Sequence, residues 1–283
     1  MPVDQQPSRV TFRKLSRQLT KLATKPAPEN VHKFRTYSRR VEALLAELVP
    51  KLSRNDKKLL KQLGRLRKKA GRVRDLDVQI AALRSLKIPQ EPARKSQLMR
   101  ILSEERAKRE EKLPEVFDRD AVSTLRKRLK RASSTMTIPE SADLLALGLR
   151  QVLQLGRDHA ALSEKTLHQY RIAGKRARYI AELASKDPKA EQVVAQLKRM
   201  QDVIGSWHDW LKLNQRAQEL FGGVHDSPLV AALQNVTRAK FREAVAALVE
   251  TRAAFAEKGP VPVSAGPGRK PSTKSGRATA AVA

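Results

Sequence analysis

The stretch HKFRTYSRR, residues 32–40, returns as HQYRIAGKR at residues 168–176, and this pair decides the fold. At 100° per residue an α-helix puts His32, Arg35 and Arg39 in one stripe with Arg40 beside it, while Val31, Phe34, Val41 and Leu45 turn to another side. The second copy aligns His168, Arg171 and Lys175, sets Arg176 beside them, and leaves Leu167, Tyr170, Ile180 and Leu183 for burial. Each helix thus joins a cationic stripe to an apolar one. His168 follows His32 by 136 residues.

A second pair of segments points to duplication. In GRVRDLDV (71–78) and GSWHDWLK (205–212), Gly71 aligns with Gly205, Arg74 with His208 and Asp75 with Asp209, now 134 residues apart. The loop between the paired helices is therefore two residues shorter in the second half. Repeats of this kind fix the architecture before any single motif does.

Around these helices the chain reads as helical throughout. TFRKLSRQLTKLA (11–23) has Phe12, Leu15, Leu19 and Leu22 on one side and stops at Pro26 and Pro28. The next helix starts near Asn30, a candidate N-cap, and ends before Pro50. From about 55 to 87, Leu59, Leu63, Leu66, Ala70, Val73, Leu76, Ile80 and Leu83 form a coiled-coil-like seam. Further helices are predicted at 92–112 and from Pro114, then at 140–163, 165–185, 188–221 and 227–257, divided by Pro and Gly signals. The pattern predicts an all-α protein of two tandem related four-helix-bundle units, 11–135 and 139–257. Residues 1–10 and the Pro/Gly/Ser-rich, basic 258–283 are expected to be disordered.

The duplicated residues resemble the CHAD domain family, an all-helical module named for its histidines. The resemblance is carried by the H-x-x-R-x-x-x-[RK]-R starts at His32 and His168, by RARYIAEL at 176–183, and by the G-x-x-[RH]-D turns at Gly71 and Gly205. It runs from about residue 10 to about residue 257 and implies binding of inorganic polyphosphate.

Charge independently allows that partner. The 283 residues hold 58 Lys and Arg against 29 Asp and Glu, a net charge of +29. Residues 1–138 contribute 36 basic and 15 acidic residues, 139–257 contribute 17 and 14, and 258–283 contribute 5 and none. Such an excess repels itself and draws long or dense anions through steering and counterion release. Only 4% of residues are aromatic, which suits an anion without bases to stack.

If the histidine helices face the flanks of their successors, two stripes converge on one basic central groove. Its candidate polyphosphate ligands are His32, Arg35, Arg39, Arg40, Arg67, Lys68, Arg74, His168, Arg171, Lys175, Arg176 and His208. Arginine offers a bidentate fork to phosphate oxygens, while Lys68 and Lys175 act as point charges. The histidines become donors as pH falls. Asp75 and Asp209 read as ion-pair partners orienting arginines. The ordinary alternative for any one stripe is a solvated helix face, and Trp207 and Trp210 read as core.

Other classes find little support. There is no cysteine, no G-x-x-x-x-G-K-[ST] loop and no H-E-x-x-H helix, so neither an enzyme, a cofactor nor a metal is expected. No apolar run approaches 18 residues, and the expected place is the cytoplasm, at polyphosphate granules. Two other functions remain open: nonspecific nucleic-acid binding aided by the basic tail, and a granule scaffold that holds a protein partner.

Overall fold

Pro28 can open a helix because its missing N–H would be unbonded there anyway, and it sets the first turn of α2 (Pro28–Leu48). The cap is Ala27, so Asn30 is not the N-cap; its amide instead donates to the Lys25 carbonyl at 3.1 Å. α1 (Gln6–Thr24) precedes it. α3 (Arg54–Ser85) begins with a reciprocal capping box of Ser53 and Asp56. α4 (Pro92–Glu110), α5 (Leu113–Val116) and α6 (Arg119–Thr135) complete the first half. The second half holds α7 (Leu144–Asp158), α8 (Glu164–Ala181) with a 3₁₀ turn at Glu182–Ala184, α9 (Pro188–Phe221) and α10 (Pro228–Ala256). This computed structural model describes residues 6–25, 27–138, 142–158, 162–184 and 187–256, and no strand occurs among them.

Two expectations change. Residues 6–10 are not a loose terminus but the start of α1, held by the burial of Ser8 and the half-burial of Val10. Residues 1–5 and the 258–283 tail lie outside the described residues. The single helix expected from Pro114 is broken into α5 and α6. Phe117 leaves the helical path to pack edge-on against Phe34, ring centroids 5.2 Å apart, and Asp118 then caps a fresh start by accepting from Ala121 N.

The cores do not follow the repeat. The largest joins α1–α3, α5 and α6 to Leu144, Tyr179, Ile180 and Leu183 of the second half. A second lies among α7–α10 around Trp207, which is 1% exposed and meets Phe241 edge-on. A third packs the C-terminal half of α3, with α4, against α9 and α10 through Leu76, Ile80, Leu83, Leu213 and Leu233. Shared apolar surface joins the halves.

Polar ties reinforce that junction. Glu91, the one residue besides glycine with positive φ (53°) among the described residues, accepts from Ser227 Oγ at 2.6 Å and from Leu229 N at 3.1 Å. It therefore caps α10 across the boundary, and nearby Arg94 donates to the Asp226 carbonyl at 2.7 Å. Backbone in this region costs a side-chain-bearing residue about 1–2 kcal/mol, which the cross-half bonds offset.

Candidate polyanion-binding groove

α2 packs on α8 and α3 packs on α9, so the two copies of the motif meet. Arg39 from α2, Arg67 from α3, and Arg171, Lys175 and Arg176 from α8 line one pocket of about 210 Å³. Arg35 lies close enough to lower the pKa values of Arg39, Arg171 and Lys175. The stripes converge, a meeting that the spacing alone left conditional.

The groups in this groove differ in how far the protein already satisfies them. Arg35 Nη1 donates to the Gly71 carbonyl at 2.7 Å and to Asp75 Oδ1 at 3.0 Å. That docking explains Gly71: a Cβ there would sit 3.1 Å from Arg35 Nη1. Arg67 pairs with Glu42 at 2.6 Å. Asp75 thus orients an arginine of α2, as its charge suggested, and Arg35 is largely spoken for.

The second copy is wired otherwise. Arg171, which occupies the place of Arg35, makes no bond to Gly205 or Asp209; its buried Nε has no partner, and a Cβ on Gly205 would meet nothing within 4 Å. Asp209 Oδ1 lies 3.7 Å from His208 Nδ1. Gln201, which occupies the place of Arg67, is buried and donates to the Gly174 carbonyl at 2.6 Å, so it lies in the α8–α9 seam. Gly174 permits that crossing, since a Cβ there would fall 2.5 Å from Met200 Cε. Neither Glu42 nor the Gly174 crossing stood out in the sequence, although the glycine within the repeated motif was a signal for the latter.

The result is a set of cations without carboxylate partners. Among the described residues, Arg39, Arg171 and Lys175 make no hydrogen bond or ion pair. Burial is the main reason that all three lose basicity. Neighbouring cations add to it: Arg35, Arg67 and Arg171 around Arg39, and Arg171, Arg39 and Arg35 around Lys175. Lys175 is pushed down to about 7 despite the opposing field of Asp209. At Arg171, Asp209 and Asp75 only partly offset burial. Half-buried, unpaired positive charge is costly until an anion is supplied.

The histidines flank this centre in matched pairs. His168 stacks on His208, ring centroids 5.9 Å apart, and His32 feels Arg74, the residue aligned with His208. Burial and the adjoining cations lower both His32 and His168 below 6.5. Both are exposed, so they stand at the rim.

Two candidates are placed elsewhere. Arg40 pairs with Glu182 at 2.8 Å and lies over the rings of Tyr37 and Tyr179, facing α1 and not the groove. Its neighbouring position on α2 carries it about 100° round from Arg39. Lys68 is rotated from Arg67 by the same step and lines a different cleft, between α3 and α6. Among the described residues, no cluster of three or more His, Asp or Glu side chains could hold a metal ion, and no helix is long and apolar enough to cross a membrane.

The glycines give a direct test of this wiring. Gly205→Ala should gain up to about 1 kcal/mol from helix propensity with nothing to obstruct it. Gly71→Ala should lose that gain by levering Arg35 off its carbonyl. Thermal melts at one pH compare them, and equal gains would show that Gly71 is not what seats Arg35.

Two repeated helix pairs that meet at a groove lined by cations define this all-α module. The CHAD domain family model matches residues 9–218, and the chain belongs to that family, which is associated with polyphosphate binding. The crystal structure of the CHAD domain from the plant Ricinus communis shares the fold, with a TM-score of 0.64 over 87% of this chain and 88% of that one at 17% identity. No curated protein matches the chain. α10 lies beyond the family match yet contributes Ala244, Leu248 and Phe255 to the second core.

Proposed function

We propose that the protein binds inorganic polyphosphate in the groove between α2–α3 and α8–α9, and that it does so at polyphosphate granules. The observation that carries the reading is the convergence of Arg39, Arg171 and Lys175, half-buried and without acidic partners. An anion entering there restores the charged state of Lys175 and accepts forked bonds from two guanidinium groups. Cations on one face of a helix recur every turn, about 5–6 Å, so successive phosphates of one strand meet successive side chains. Because polyphosphate has no bases, recognition needs no aromatic platform; Trp207 is in the core.

The reading is one of binding and not of catalysis, since the groups that converge are cations and Asp75 is held by Arg35. Competition at fixed salt between long-chain polyphosphate and duplex DNA tests it. Polyphosphate should displace duplex from the full chain, and the reverse order of preference would reject the proposal. Removal of residues 258–283 should weaken duplex binding while leaving polyphosphate affinity within about twofold. A truncated protein that no longer binds polyphosphate would move the site from the groove to the tail.

A further inference from the structure

Much of the positive charge of the first half lies away from the groove. α1 contains no acidic residue, and the only one in α6 is Asp120 in its first turn. Between these two packed helices runs a cleft of about 750 Å³. Arg9 and Arg13 line it from α1, and Arg126, Lys127 and Lys130 line it from α6. All five are exposed, and among the described residues none pairs with a carboxylate. Arg126 Nε donates to Ser16 Oγ at 3.2 Å, which fixes its guanidinium across the cleft. The floor is apolar, formed by Phe12 and Leu129, both almost fully buried.

The form of this cleft restricts what can occupy it. Arg9 and Arg13 stand one turn apart on one wall, Arg126 and Lys130 one turn apart on the other, so each wall repeats positive charge about every 6 Å. The two rows face each other across the apolar floor, so a file of phosphates lying along the seam meets cations from both sides. Single-stranded nucleic acid is disfavoured. Its bases seek exposed rings, and Phe12, the aromatic residue of the cleft, is 2% exposed.

We propose that the α1–α6 cleft is a second anion site that takes another strand of the same phosphate polymer, so that one protein chain joins two strands. The identity of the polymer rests on the groove reading; the existence of a second site does not. Two independent sites on one chain convert a binder into a cross-linker, because strands held by different molecules become connected.

The full-length chain tests this with short-chain polyphosphate in a calorimetric titration and long-chain polyphosphate in a turbidity assay. Arg13→Ala, Arg126→Ala and Lys130→Ala are combined as the cleft variant; these side chains are exposed, and circular dichroism verifies that helicity is kept. Arg39→Met, Arg171→Met and Lys175→Met form the groove variant. The wild-type protein should show two binding events and cross-link long polymer. Each variant should keep one event and lose turbidity. A cleft variant with both events overturns the second site, as does one that loses duplex DNA affinity with polyphosphate stoichiometry unchanged. A single wild-type event abolished by the groove variant also overturns it and leaves the groove standing. Two events that both survive in the groove variant overturn the groove reading instead.

Discussion

Replacing Arg39, Arg171 and Lys175 together with methionine is expected to remove polyphosphate binding from the groove and, in the same protein, to raise the melting temperature. The loss follows from the contacts forgone. A hydrogen bond to a charged group contributes about 1.5–3 kcal/mol, so three such side chains correspond to a loss of about 10³-fold or more. The gain follows from the unliganded state. These side chains are half-buried, unpaired and mutually repelling, and burial depresses the basicity of each. Apolar side chains of similar volume placed where charge is buried often stabilise a protein by about 1–4 kcal/mol.

Opposite signs separate a ligand site from a structural charge network. If the three cations served the fold, their removal would lower the melting temperature and binding would fall only in proportion to unfolding. Calorimetric titration and a thermal melt on one preparation decide it; retained affinity with reduced stability would sink the groove. Arg40→Met and Lys68→Met serve as controls. Arg40 faces Glu182 and Lys68 faces the α3–α6 cleft, so neither change should alter groove affinity more than about twofold.

The repeat made the paired helices legible, because identical spacing of His32, Arg35 and Arg39 and of His168, Arg171 and Lys175 requires equivalent elements; their meeting was only a condition of the groove and comes from the packing of α2 on α8 and of α3 on α9. Periodicity also located the α3 seam, and every residue of it is buried except the half-buried Leu66. What periodicity could not reveal is which partner each cation finds. Adjacent residues on a helix differ by 100°, and that single step sends Arg40 toward α1 and Lys68 toward α6. Carboxylates distant in sequence decide the rest: Glu182 takes Arg40, while Asp75 takes Arg35 with help from the space beside Gly71. The aligned Gly205 gives no such help to Arg171, so equal sequence positions acquire unequal roles. The break at Phe117 escaped notice for the same reason, since its cause is Phe34, 83 residues earlier.

Lys175 should make both stability and binding depend on pH above neutrality. In the folded protein its pKa lies at about 7 against 10.5 for the unconstrained side chain. The unfolded chain therefore holds a proton that the folded chain has shed between those values, and stability contributed by this group rises with pH across that window. Below pH 7 its full penalty is present, and above 10.5 it vanishes. Lys175→Met should accordingly stabilise the unliganded protein by about 2–4 kcal/mol at pH 6 and by progressively less toward pH 10. Binding runs the other way. Polyphosphate restores the ammonium, so association at pH 8 to 9 takes up close to one proton per chain, and affinity declines by up to tenfold per pH unit above 7. His32 and His168 are held below 6.5 by burial and the adjoining cations and leave this window clear. Titrations in buffers of different ionisation enthalpy measure the proton uptake. A wild-type protein whose affinity is flat from pH 7 to 9, or a Lys175→Met variant that keeps the same slope, would show that Lys175 is not the group the anion recharges.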